Sequence, residues 1–219
     1  MRYTNLVTKM KDLSIDFGSI DQNNIEQLRK LNDTIFPISY GPKFYTSVLS
    51  HPPSLTKYAY YNGFVIGAIC TRLEEHPELV GKKRAYIMTL GVLSSYRGRG
   101  VGKKLVASVL EELQGCGSSS GEEVGVKRKR EDGADEEEGE KKADEASEKE
   151  KAKEAEKTKE SEKYLDVVDV YVHTQTNNND AINFYSKFEF VKGGVIKDYY
   201  KRIDPPDAVI LRKELRSSE

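Results

Sequence analysis

A glycine-rich turn carries the strongest chemical signal in this chain. Glycine occupies alternate positions of the turn, whose residues are Arg97, Gly98, Arg99, Gly100, Val101, Gly102 and Lys103. The first N–H groups of a helix have no partner within the helix and carry the positive end of its dipole. Because glycine has no Cβ, an anion can approach such N–H groups closely. A helix that begins here is suited to bind a phosphate or pyrophosphate group, although glycines at alternate positions also occur in ordinary loops.

The residues on either side of the turn predict a strand before it and a helix after it. Tyr86–Leu93 is rich in apolar and β-favouring residues, whereas beyond the turn apolar residues recur at every fourth position: Val101, Leu105, Val109 and Leu113. Two other phosphate loops do not fit. The turn lacks the Gly-Lys-Ser/Thr ending of a nucleoside triphosphate loop, and no strand with the acidic residue of a dinucleotide-binding fold follows at the expected distance.

His173 is a second candidate for chemistry. It lies in Val167–Thr174, where valines alternate with polar and aromatic residues, a pattern that predicts a strand with two different faces. His173 therefore shares a face with Tyr171. A histidine in a strand is most often structural, so the spacing alone leaves both a structural and a catalytic role open.

Periodicity and turn residues predict the elements that position these groups. A strand over Leu13–Phe17 precedes a helix that Asp21 caps, the Asn62-Gly63 pair joins the strands of a hairpin, and Glu74–Lys83 is a loop. The predicted order is strand, two helices, three strands, helix, strand, helix and two strands. This order predicts an α/β domain with a mixed sheet flanked by helices.

A long charged segment interrupts this pattern. From Gly115 to Lys163 the chain has no aromatic residue, and Val124 and Val126 are its only larger aliphatic residues. Such a composition cannot bury enough surface to offset the entropy of ordering. We therefore predict a single domain over residues 13–215, interrupted by a disordered insertion at 115–163. The basic run Lys127–Arg130 resembles a short nuclear-import signal, but such runs are common in charged segments and simple solvation explains it better.

The composition excludes several classes of protein. The net charge of −1 gives no overall attraction to nucleic acid or membrane. The beginning of the chain has no apolar stretch typical of a signal peptide, and no run of about 18 apolar residues occurs. The two cysteines, Cys70 and Cys116, lie in unrelated contexts and suggest a reducing compartment. We expect a soluble cytoplasmic protein, with nuclear import left open.

The turn matches the pattern R-x-x-G-x-G through Arg97, Gly100 and Gly102, and it resembles the acetyl-CoA-binding signature of the GNAT N-acetyltransferase superfamily. Further segments resemble the NatE type of N-alpha-acetyltransferase, whose catalytic subunit acts on nascent protein N-termini: Ile35–Tyr40, Tyr86–Gly91, Tyr171–Phe190 and Asp198–Ala208. The similarity covers nearly the whole chain except its start and the charged insertion. It implies the GNAT arrangement of a mixed sheet flanked by helices.

The resemblance implies acetyl-CoA as the cosubstrate and no metal. The glycine-rich turn would then hold the pyrophosphate, and the main-chain amides of Leu90, Gly91 and Val92 would hold the pantetheine and polarise the thioester carbonyl. Asn178 and Tyr185 match positions near the acetyl-CoA thiol, where Tyr185 is the candidate to protonate the leaving sulfur.

The resemblance also assigns a proton relay and a peptide pocket. Tyr86 and His173 would remove the proton of the α-amino group through ordered water; such a group titrates near about 7.7–8.0, so a weak base suffices. The implied pocket consists of Phe36, Pro37, Ile38, Tyr40, Met88, Tyr199, Tyr200 and Ile203. Its apolar and aromatic side chains favour peptides that begin with a retained methionine followed by a hydrophobic residue.

Two alternatives remain at this point. The same fold acetylates lysine side chains or small amines, and the cofactor turn does not distinguish these acceptors. A non-catalytic subunit of a ribosome-associated N-terminal acetyltransferase complex is the other alternative, which the intact turn disfavours. The resemblance also suggests the NatA scaffold and catalytic subunits at the ribosome as partners, besides protein N-termini.

Overall fold

A computed structural model describes residues 13–115 and 164–216 of the chain. The predicted insertion lies outside the described residues except for Gly115, as do Cys116 and the basic run at 127–130. In chain order, the helices and strands are β1 Asp16–Ser19, α1 Ile25–Ile35, α2 Pro42–Leu49, β2 Thr56–Tyr61, β3 Phe64–Glu75, β4 Lys83–Val92, α3 Val101–Gln114, β5 Val167–Gln175, α4 Asn179–Ser186, β6 Val191–Ile196 and β7 Ala208–Glu214. This order is the one predicted from periodicity.

The strands form one mixed sheet with the order β1-β2-β3-β4-β5-β7-β6. Only β4 and β5 pair in parallel among these described strands, and the other neighbours pair antiparallel. Helices cover both faces of the sheet, since two separate groups of buried side chains lie on opposite sides of it. One group includes Leu105 and Val109 of α3, and the other includes Leu28 of α1 and Val48 of α2. The predicted fold class, a mixed sheet flanked by helices, is confirmed.

The hairpin between β2 and β3 turns at Asn62 and Gly63, whose φ angles of 49° and 78° are those that an Asn-Gly turn tolerates. The predicted boundaries are wrong elsewhere. The first strand begins at Asp16, because the backbone N–H of Leu13 instead donates to the carbonyl of Arg99 at 3.2 Å. The β3 strand extends through Glu75, since its pairing with β4 continues to Lys83, which shortens the predicted loop.

Two helix ends also differ from the prediction. Asn24, and not Asp21, is the N-cap residue of α1; the Asp21 carboxylate accepts N–H groups of Asn23 and Asn24 in the turn before it. Gly115, predicted as the first residue of the insertion, caps the C-terminus of α3: at φ 71° its backbone N–H donates to the carbonyls of Glu111 and Glu112. Among the described residues, none of the helices is long and apolar enough to span a membrane.

Candidate active site

The two central strands separate to form a cavity. β4 and β5 pair from Lys83 and Val167 as far as Ile87 and Val172, after which their pairing stops although both strands continue. A cavity of about 670 Å³ opens at this divergence. Backbone groups of β4 beyond Ile87 that face β5 consequently have no partner from that strand. They are available to a ligand, as predicted for the amides of this segment.

The cavity brings together residues that are distant in the chain. Its lining includes both predicted relay residues, Tyr86 and His173, and three predicted cofactor residues, Leu90, Asn178 and Tyr185. It also includes every residue predicted for the peptide pocket: Phe36, Pro37, Ile38, Tyr40, Met88, Tyr199, Tyr200 and Ile203.

Some predicted cofactor residues lie outside the cavity lining, and some lining residues were not predicted. Gly91, Val92 and the turn from Arg97 to Lys103 do not line it. The unpredicted lining residues are Ser39, Thr89, Val172, Thr174, Gln175, Ala181, Lys201 and Arg202. Six of them adjoin a predicted residue, whereas Gln175 and Ala181 do not. Adjacency alone does not show on which side of a strand or loop a residue lies.

One wall of the cavity is the loop between α1 and α2. Phe36 is extended, with φ −103° and ψ 144°, as the following proline requires, and α1 therefore ends there. Gly91 of β4 lets this helix end approach the sheet, because a Cβ at position 91 would lie 3.0 Å from Cδ1 of Ile35. The ring of Tyr40 packs between Phe36 and Phe44, at centroid distances of 5.8 and 4.4 Å. These contacts hold the loop against the opening.

The opposite wall is the loop between β6 and β7. The backbone N–H of Tyr200 donates to the carbonyl of Pro206 at 2.8 Å, and Gln175 Nε2 donates to the carbonyl of Pro205 at 2.9 Å. An ion pair of 2.5 Å between Lys197 and Asp207 closes the base of the loop. The loop is thus fixed both within itself and to the end of β5.

The glycine-rich turn lies beyond the end of β4. Gly98 and Gly100 have φ angles of 72° and 79°, which disfavour other residues. Within residues 13–115 and 164–216 no side chain caps α3, so its first N–H groups remain available to an anion. Arg97 Nε donates to the carbonyl of Val92 at 2.9 Å and thereby ties the turn to β4. These features fit the predicted pyrophosphate site, and Lys103 is an exposed cation beside it.

Gly102 differs from the other turn glycines. A Cβ at this position would lie 3.6 Å from the ring of Phe184 in α4, which is an ordinary packing contact. The first atom of a side chain substituted at position 102 would therefore face α4 and not the open side of the turn. A Cβ at position 102 would thus not block the anion's path directly, and such a block at Gly100 is a prediction.

Comparisons with known proteins agree with this geometry. The sequence matches the Acetyltransferase (GNAT) family over residues 25–126. N-alpha-acetyltransferase 50 of Danio rerio is 34% identical over 203 residues, which cover 93% of this chain and 90% of the relative. The chain belongs to the GNAT family of N-terminal acetyltransferases. The probable N-acetyltransferase san of Drosophila melanogaster is also 34% identical over 203 residues, covering 93% and 82% of the two chains.

A solved structure is similar to this GNAT protein along almost its full length. Arabidopsis thaliana Naa50, in complex with the bisubstrate analogue CoA-Ac-MVNAL, shares 32% identity with a TM-score of 0.62. The match covers 92% of this chain and 99% of the Arabidopsis chain. The resemblance to NatE-type enzymes is confirmed at the level of the family.

Three polar groups meet at the centre of the GNAT cavity. Nδ1 of His173 lies 3.0 Å from the hydroxyl of Tyr199 and 3.3 Å from that of Tyr86. The two hydroxyls lie 3.1 Å apart. Tyr199, which was predicted only as a pocket residue, therefore belongs to the same cluster as the relay residues.

Burial shifts the pKa values of His173 and Tyr86 in opposite directions. It lowers the pKa of His173 below its ordinary value, an effect that nearby Arg84 and Arg72 reinforce and that Glu74 opposes. Burial, followed by the hydrogen bond with Tyr199, raises the pKa of Tyr86. Tyr86 consequently stays a neutral phenol near pH 7, whereas His173 is a neutral imidazole there. Of the two, His173 is the group that can accept a proton.

Aromatic and charged side chains pack behind the cluster of Tyr86, His173 and Tyr199, starting at Tyr86. The ring of Tyr171 stacks on Tyr86 at a centroid distance of 4.8 Å, and its hydroxyl donates to Glu74. The guanidinium of Arg84 lies 3.8 Å from the centroid of the Tyr171 ring. Arg84 in turn forms an ion pair of 3.4 Å with Asp169, a fully buried carboxylate.

Asn178 and Tyr185, which were predicted to lie near the acetyl-CoA thiol, both line the cavity. Asn178 is the N-cap residue of α4, and Tyr185 lies within that helix. Tyr185 is buried, and burial raises the pKa of its hydroxyl, which therefore keeps its proton near neutral pH. Oδ1 of Asn178 accepts the N–H of Ala181 at 3.1 Å and caps α4. Among the described residues, no group of three or more His, Cys, Asp or Glu side chains could hold a metal ion.

Proposed function

We propose that this N-terminal acetyltransferase transfers an acetyl group from acetyl-CoA to polypeptides that begin with a retained methionine followed by a hydrophobic residue. One observation carries the proposal: a single cavity joins a pocket of apolar and aromatic side chains to the cluster of Tyr86, His173 and Tyr199. An N-terminal residue in the pocket would place its α-amino group beside that cluster.

The pocket's chemistry supports an apolar first side chain. Phe36, Ile38, Met88 and Ile203 provide apolar surface, and no Asp or Glu is among the residues that line the cavity. Burying methylene groups of methionine against such surface is favourable by about 0.8 kcal/mol each. A lysine side chain would instead lose hydration of its charge without a carboxylate to pair with. The pocket therefore favours a peptide N-terminus over a lysine side chain.

The turn and the free edge of β4 support the cosubstrate. The N–H groups at the start of α3 suit a pyrophosphate, and the backbone of Leu90–Val92 borders the divergence of the strands. Similarity adds to this, because Arabidopsis Naa50 binds an analogue in which CoA is joined to a peptide beginning with Met-Val. When bound, acetyl-CoA supplies a thioester that is open to attack by an amine.

The residues of the cavity account for the movement of protons. His173 accepts a proton from the α-amino group through water, while Tyr86 and Tyr199 orient its imidazole by hydrogen bonds. Main-chain amides of Leu90–Val92 stabilise negative charge on the carbonyl oxygen. Tyr185 donates a proton to the leaving sulfur. A carbon–nitrogen bond forms as the carbon–sulfur bond breaks, so the proton lost by the amine balances the one gained by the sulfur.

A peptide panel tests the proposal. Peptides that begin with Met-Leu, Ser, Asp or Met-Lys are compared in kcat/KM with acetyl-CoA, beside an N-blocked peptide with an internal lysine. One buried methylene discriminates by about 1–3 kcal/mol, so Met-Leu should exceed Ser and Asp by at least about tenfold. Equal rates with the N-blocked lysine peptide would favour the lysine alternative.

Association with NatA subunits, cytoplasmic localisation and nuclear import stay predictions.

A further inference from the structure

Two basic side chains stand at the mouth of the cavity and have no role in the proposed chemistry. Lys201 and Arg202 both line the cavity, and both are exposed. Neither forms an ion pair with another side chain in the described parts of the chain. Among the described residues no carboxylate lines the cavity, so Lys201 and Arg202 are the charged groups of its lining.

The nearest acidic residues belong to the same loop but do not neutralise these two cations. Asp207 is engaged by Lys197 at 2.5 Å and by the backbone N–H of Asp198 at 3.1 Å. Asp198 and Asp204 are exposed and do not line the cavity. The charge of Lys201 and Arg202 is thus presented to whatever enters the cavity.

The backbone that carries Lys201 and Arg202 is fixed relative to the reacting groups. Tyr200 directly precedes the pair, and its backbone N–H donates to the carbonyl of Pro206 at 2.8 Å. The hydroxyl of Tyr199, one residue earlier, lies 3.0 Å from Nδ1 of His173. The two cations therefore follow, within three residues of the chain, a side chain that contacts the group proposed to accept the proton.

We propose that Lys201 and Arg202 select peptides with an acidic side chain at positions three to five. The inference rests on the proposed function, because it concerns the part of the peptide that leaves the pocket after the first two residues. Each extended residue adds about 3.3–3.6 Å, so those positions pass the mouth when the N-terminus is at His173. An acidic side chain there would pair with an exposed cation and would also be steered toward the opening.

The expected effect is modest and depends on salt. Pairs between exposed charges change an equilibrium by about two- to fivefold, and salt screens them. Among peptides that share Met-Leu, a glutamate at the preferred position should raise kcat/KM by about that factor over glutamine, whereas lysine should lower it. The differences should shrink between about 20 mM and 500 mM salt.

The test moves one glutamate, glutamine or lysine through positions three to six of a Met-Leu peptide. The variant Lys201→Glu/Arg202→Glu should reverse the preference, so that the lysine peptide becomes the better substrate. Lys192→Glu is the matched control, because Lys192 is exposed at the opposite end of β6 and does not line the cavity. It should retain the preference of the wild type.

The outcomes separate this inference from the proposed function. If the neutral Met-Leu peptide reacts well but glutamate and lysine peptides do not differ in the wild type, the charge selection is wrong and the function stands. An unchanged preference in the double variant would also overturn it. If no Met-Leu peptide reacts, the proposed function itself is wrong.

Discussion

Nδ1 of His173 and the hydroxyl of Tyr199 lie 3.0 Å apart, although one residue is in β5 and the other in the loop before β7. This contact joins the wall of the peptide pocket to the group that accepts the proton. A peptide that displaces the loop would therefore also change the orientation of the imidazole, so that substrate fit and proton transfer are linked through one hydrogen bond.

Tyr199→Phe should reduce kcat by about two- to tenfold, since it removes one hydrogen bond to His173 and leaves the contact with Tyr86 at 3.3 Å. Tyr200→Phe is the control: the Tyr200 hydroxyl donates to the backbone carbonyl of His173 at 3.4 Å and not to the imidazole, so this substitution should change kcat less. Steady-state kinetics with a saturating Met-Leu peptide would measure both. A larger loss in Tyr200→Phe would contradict this role of Tyr199.

The pH dependence of kcat should report His173. Because burial lowers its pKa, the neutral imidazole persists below the ordinary histidine value of about 6.5, and kcat should fall only under that pH. His173→Ala should remove this limb and lower the plateau by about 10²–10⁴-fold, with acetyl-CoA binding largely retained. Profiles at saturating peptide between pH 5 and 9 test this. A limb centred at or above pH 7 would assign proton transfer to another group.

Local patterns predicted the elements well, whereas the site needed long-range information. The change of period at the glycine-rich turn and the Asn62-Gly63 pair are signals within a few residues, so α3 and the β2–β3 hairpin could be predicted. The divergence of β4 from β5 could not be predicted, because strand register depends on packing between segments far apart in the chain. The convergence of the two loops on the cavity was expected only from family resemblance.

Asp169 illustrates a second limit on what can be predicted from the sequence. Asp169 alternates with valines and so shares a face of β5 with Tyr171 and His173, but this pattern does not show whether the carboxylate is exposed or buried. Asp169 is fully buried, because arginines from β4 and β7 surround it. A charge that is compensated by residues of other strands leaves no signature in its own segment.

Gly100→Val should weaken acetyl-CoA binding and raise its KM. At φ 79° the substituted residue is strained by about 1–2 kcal/mol, and its side chain would stand at the start of α3. Gly81→Val is a matched control for strain, because Gly81 has φ 74° and open space around its Cβ position but lies in the loop between β3 and β4. Similar thermal destabilisation in both, with a raised KM only in Gly100→Val, is the expected result. Equal KM values would remove the phosphate site from this turn.

The buried carboxylate of Asp169 should be a large contributor to stability. It lies 2.5 Å from Arg212, 3.4 Å from Arg84 and 3.8 Å from Nε2 of His76. Nδ1 of His76 accepts the backbone N–H groups of Glu78 and Leu79, each at 3.1 Å, so the ring proton faces Asp169. Asp169→Asn would leave these donors facing a neutral amide. Breaking a buried ion pair in this way costs about 3–5 kcal/mol of unfolding free energy.

Asp166→Asn is the matched control for Asp169→Asn, because it removes the same charge three residues away. Asp166 pairs with Lys83 at 2.7 Å, but the two side chains are 36% and 40% exposed, so its loss should cost at most about 1 kcal/mol. Urea denaturation of the two variants at pH 7 measures both effects. The Asp169→Asn variant should also lose activity beyond its loss of folded protein, since Asp169 holds Arg84 on the ring of Tyr171 and Tyr171 stacks on Tyr86. Equal midpoints for the two variants would show that the buried carboxylate of Asp169 adds no more stability than the exposed one of Asp166.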